Sequence, residues 1–125
     1  MVKRATLSQL GVMVSFMIVT GCSLPFLRYG ENGLSQDQFA DYVESVFRLQ
    51  NSVTSELMLL DSDERQTVLL QAEQMMRTDC AALNEYATRD SDGLTIGLAL
   101  SRRVAQSVAQ CEKAALHLKL LLEYD

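Results

Sequence analysis

The 125-residue sequence predicts an all-α protein: an up-down-up bundle of three helices with coiled-coil-like packing and one interhelical disulfide. Three observations carry that expectation. A capping box opens a long apolar seam, two further stripes repeat the same four-three spacing on either side of a turn, and those two stripes each hold one cysteine of a pair.

The first helix is announced by Ser35-Gln36-Asp37-Gln38. The Ser35 hydroxyl and the Gln38 side chain can each satisfy an amide left free at a helix start, and Leu34 with Phe39 supplies the hydrophobic staple around them. From there Phe39, Val43, Val46, Gln50, Val53, Leu57 and Leu60 recur at alternating spacings of four and three, a seam interrupted once by a polar residue. Asp37, Asp41, Glu44 and Arg48 occupy the opposite face, with Glu44 and Arg48 in the favourable i,i+4 order.

Asp61-Ser62-Asp63-Glu64 breaks the seam and starts a second helix, placing acids where the helix dipole favours negative charge. Leu69, Ala72, Met76, Cys80, Leu83 and Ala87 then mark one stripe that predicts a single helix to about Arg89. Ser91-Asp92-Gly93 reads as a turn. The third helix carries Val104, Val108, Cys111, Ala115, Leu118 and Leu122 and runs almost to the C-terminus.

The cysteines test the register of that hairpin. A tight turn centred on Asp92 would leave Cys80 about seven residues short of Cys111, an axial mismatch of roughly 10 Å at about 1.5 Å per residue. The connection is therefore expected to be longer than a tight turn, centred near Thr95, with Leu94 to Gly97 partly irregular.

Residues 1–21 have a separate logic. Lys3 and Arg4 are followed by an uncharged apolar run from Leu7 to Val19 and then by Val19-Thr20-Gly21-Cys22. Positive residues, a short apolar core and a small pair before the cut make a secretory signal. A cysteine directly after the small pair resembles the bacterial lipoprotein family of signal peptides. That resemblance covers only the first fifth of the chain, and Val19 stands where the family most often has Leu. It implies cleavage before Cys22, acylation of the Cys22 thiol and amine, and, because Ser23 is not an inner-membrane retention Asp, an outer-membrane location facing the periplasm. An uncleaved anchor is the alternative, since no charged residue occurs from Ala5 through Leu27. Several acyl chains exceed the two signals that stable anchoring needs. The domains expected are 1–21 signal peptide, 22–33 lipidated N-terminus and linker, and 34–125 helical domain.

Removal of Lys3 and Arg4 with the signal leaves nine basic against sixteen acidic residues, a net charge of −7. Nucleic acid and anionic lipid head groups are poor partners for such a surface. With Cys22 assigned to lipid, Cys80 and Cys111 form an even remainder in an exported chain, which favours a disulfide over free thiols.

No enzyme constellation is visible, and no cofactor or metal is expected. His117 is the only imidazole and has no nucleophile beside it. Asp61, Asp63 and Glu64 lack the spacing of a calcium loop. Met58, Met75 and Met76 are soft groups, but methionine is more often core filling. Arg102-Arg103 reads as a solvated face, with docking against an acidic partner the sharper alternative.

One feature exceeds what folding requires. Leu57-Met58-Leu59-Leu60, Val68-Leu69-Leu70 and Leu116 with Leu118, Leu120, Leu121 and Leu122 are apolar all around their helices, where a surface helix should show one stripe. In an up-down-up bundle these segments meet at the pole far from the linker. Leu57, Met58, Leu59, Leu70, Leu116, Leu120 and Leu121 are thus the candidate partner-binding residues. The expected function is a non-catalytic, membrane-tethered adaptor that docks an envelope protein or a second copy of itself. The alternative is a carrier or sensor for a small apolar ligand or soft metal, which would need an enclosed cavity lined by Met76, Leu83 and Val108.

Overall fold

The computed structural model describes residues 28–30, 32–60 and 65–124. The segment 1–21 expected to be a signal, Cys22 and the Asp61–Glu64 cluster lie outside the described residues. The described chain is helical: α1 Gln36–Leu59, α2 Gln66–Asp79, α3 Ala81–Ser91 and α4 Leu98–Glu123.

The start of α1 follows its sequence signal. The Ser35 amide donates to Gln38 Oε1 at 3.1 Å, and the Gln38 amide donates to Ser35 Oγ at 3.4 Å, so both halves of the capping box are present. Just before it, Tyr29 and Leu34 pair across a turn closed by Gly30 and Gly33, both at positive φ, where a side chain would be strained. The Tyr29 ring stacks on Phe39 with centroids 5.5 Å apart. The last part of the segment expected to act as a linker is thus folded onto α1.

The expected second helix is two helices, α2 and α3, divided at Cys80. Thr78, Asp79 and Cys80 are three successive weak helix formers. The Thr78 hydroxyl also donates to the Gln74 carbonyl one turn back, a bond that bends helices. The stripe survives the break: Leu69, Ala72, Met76, Cys80 and Leu83 are all buried, and Ala87 is half-buried.

Helix α4 is the centre of the molecule. α1 packs on it along one side and α2 with α3 along another, whereas α1 meets α2 and α3 only sparsely. Val104, Val108, Cys111, Ala115, Leu118 and Leu122, the stripe read from the sequence, are all buried. Against them lie Val46 and Val53 of α1, Met76 of α2 and Leu83 of α3. Each such buried side chain contributes on the order of 1.5–3 kcal/mol.

The disulfide joins Cys80 to Cys111 with Cα atoms 4.6 Å apart. Two helix radii of about 2.3 Å added to that separation leave the axes about 9 Å apart, an ordinary packing distance. The bridge therefore sits where the two helices face each other. The same antiparallel register holds along the pair. Arg65 at the start of α2 donates to the Leu121 and Tyr124 carbonyls at the end of α4, and Arg103 of α4 pairs with Glu85 of α3 at 2.6 Å. The connection spans residues 92–97, with Leu94 to Gly97 irregular, as the cysteine register requires.

Gln50, the polar interruption of the α1 seam, is buried, and its Oε1 has no hydrogen-bond partner. The opposite face of α1 carries the expected Glu44–Arg48 pair at 2.6 Å.

Candidate interaction surface

The segments apolar on all sides come out partly uncovered. A helix can bury only the arc that faces its neighbour, so leucines on the remaining arc meet solvent. Met58 is 78% and Leu59 86% exposed at the end of α1; Leu60, Val68, Leu70, Leu116, Leu120 and Tyr124 are exposed as well. Leu57 and Leu121 are half-buried against the core and form the inner edge of this surface.

These residues lie at one pole. The Arg65 hydrogen bonds tie the start of α2 to the end of α4, and six residues, 60–65, separate the end of α1 from the start of α2. Isolated exposed leucines are normal; a run of them at the ends of three helices is the candidate interaction surface.

The core beneath is filled. Met76, Leu83 and Val108 are each only 1% exposed and belong to one packed cluster. Leu83 lines an opening, which is a groove rather than an enclosed chamber.

The groove, of about 1050 Å³, lies between α1 and α3 over the first turns of α4. Phe39, Val43 and Phe47 form its α1 wall and Tyr86 with Ala87 its α3 wall. Leu83 and Val104 form its floor. It exists because α1 leans on α4 and scarcely reaches α3. Phe39 and Val43 belong to the seam read from the sequence, and Phe47 lies beside it. The missing information was how far α1 stands from α3, which no spacing encodes.

The remaining candidates are dispersed. His117 is exposed on α4. Met58 and Met75 are exposed while Met76 is in the core, so the three thioethers do not converge. Among the described residues no group of three His, Cys, Asp or Glu side chains could hold a metal ion, and no helix is long and apolar enough to cross a membrane. Arg103 is engaged with Glu85, whose carboxyl is held below the usual carboxylate range by that hydrogen bond; the charges of Arg103 and Arg89 act in the same direction. Arg102 is exposed.

No protein-family profile, curated protein or solved structure matches this chain. The functional reading rests on the surface itself.

Proposed function

We propose that this protein is a non-catalytic adaptor lipoprotein of the bacterial cell envelope. In this reading Cys22 carries the lipid anchor, in the outer membrane facing the periplasm, and the helical domain docks another envelope protein or a second copy of itself through the apolar pole. The single observation that supports it most is the coexistence of a filled core with Met58, Leu59 and Leu120 standing exposed beside it. Had those residues been needed to complete the core, they would be covered.

The architecture belongs to the same reading. α2 and α3 act as one bent second helix, giving an up-down-up arrangement in which the ends of the first and last long helices share a pole. The bridge, the Arg65 hydrogen bonds and the Glu85–Arg103 pair support the antiparallel half of it.

Photoreactive residues at Leu59 and Leu120, crosslinked in intact cells and read by mass spectrometry, test the reading. A specific envelope protein captured from both positions supports it, and self-crosslinks alone favour an oligomer. Absence of any product at either position removes the pole as a docking surface. Leu59→Glu with Leu120→Glu is expected to keep the helical circular dichroism signal and lose the crosslinked partner. Separately, Cys22→Ala is expected to release the protein from the membrane fraction; retention there would overturn the lipid anchor.

A further inference from the structure

We infer that the groove between α1 and α3 receives an amphipathic helix of a partner protein, one whose apolar stripe is flanked by Lys and Arg. This is a second surface, and it stands independently of the pole.

Shape argues for a helix. The lining runs along α1 from Gln36 to Asn51, about 22 Å at 1.5 Å per residue, which matches about four turns of an inserted helix. The walls are helix ridges with a floor of Leu83 and Val104, the setting in which apolar anchors at i, i+3, i+4 and i+7 seat themselves. Strand addition has no template, because the described residues contain only the isolated Tyr29–Leu34 bridge and no open sheet edge.

Charge argues for the flanks. Among the lining residues the only ionisable carboxylates are Glu44 on the α1 wall and Asp90 on the α3 wall, and no Lys or Arg lines the groove. A helix lying in the groove with its stripe down turns one flank toward each wall. Cations on both flanks would then each face a carboxylate, whereas acids there would be repelled from both sides. Glu44 is already paired with Arg48 at 2.6 Å, so a cation on that flank shares or displaces Arg48; both side chains are largely exposed and such pairs are weak enough to exchange.

Position narrows the partner further. Tyr29, seven residues along the chain from Cys22, lines the groove. Given the proposed lipid at Cys22, on which this placement rests, seven residues span at most about 25 Å, so the occupant would be a helix near the bilayer.

The test uses the full chain, lipidated and held in nanodiscs of neutral phosphatidylcholine, with empty nanodiscs as the background. The probes are two fluorescent peptides of about four helical turns. They share a Leu stripe at i, i+3, i+4 and i+7, and their flanks are Lys in one and Glu in the other. The Lys-flanked peptide is expected to bind saturably and at least about tenfold more tightly than the Glu-flanked one. Glu44→Lys with Asp90→Lys should reverse that order. Ala87→Trp should obstruct the groove and abolish binding, with Ala40→Trp, at an exposed lining position, as a second obstruction should the first fail to fold. Leu59→Glu should leave binding unchanged. The inference is overturned if neither peptide binds, if binding is indifferent to the flanks, or if Leu59→Glu removes it while Trp in the groove does not.

Discussion

The two sides of α4 are held by different means. On the α2–α3 side the contact is covalent at Cys80–Cys111, bracketed by the Arg65 hydrogen bonds at one end and the Glu85–Arg103 pair at the other. On the α1 side the cross-links are noncovalent: Tyr42 donates to Glu112 at 2.6 Å, Val46 and Val53 pack on the core, and Gln50 brings a buried oxygen with no partner. The contrast teaches that α1 is the element held without a covalent link, and both candidate surfaces are bordered by it. Local stability is expected to divide along that line.

Removing the bridge should break this contrast most. Cys80→Ser with Cys111→Ser frees a loop of 31 residues in the unfolded chain and is expected to cost roughly 3–4 kcal/mol. Denaturant unfolding should show that loss, and hydrogen exchange should show α2 and α3 amides losing their advantage over α1. A bridge-free variant with unchanged protection there would place the rigidity elsewhere.

Tyr42→Phe should widen the contrast instead. It deletes a hydroxyl bonded to a carboxylate, and about 1.5 kcal/mol should be lost, with faster exchange confined to α1. Gln50→Met should narrow it. A thioether of similar length removes the orphaned oxygen, so stability should rise by about 1 kcal/mol in the same unfolding experiment. A loss on this substitution would show that Gln50 Oε1 is satisfied in solution, by water, for example.

The smallest effect is a pH dependence on the rigid side. Because Glu85 is held below its ordinary range by Arg103, its contribution is present above the unfolded carboxylate pKa of about 4.3 and is lost as pH falls through the lower folded value. Acid unfolding of Glu85→Gln should lack that increment and otherwise follow the parent curve.

How much of this was legible beforehand depended on the range of the interaction. The capping box at Ser35, the α4 stripe and the cysteine pair rest on neighbours along the chain or on one long-range bond, and the structure contains all of them. The register of that bond even located the irregular stretch from Leu94 to Gly97. The break at Cys80 was missed because three mildly unfavourable residues weigh little against a stripe that continues through them. The surplus of leucines around Leu59 and Leu120 was visible as a pattern, and its exposure is a consequence of helix geometry. The groove was not visible, because a gap between α1 and α3 belongs to neither helix.

The burial of the bridge has a kinetic meaning. Cys80 and Cys111 are both 0% exposed. Thiol–disulfide exchange needs an attacking thiolate to reach a sulfur, and no such approach exists while the helices are packed. A reductant therefore acts on this protein only at the moments when α3 lifts from α4. The same enclosure means that a newly made chain must meet its oxidant before those helices close.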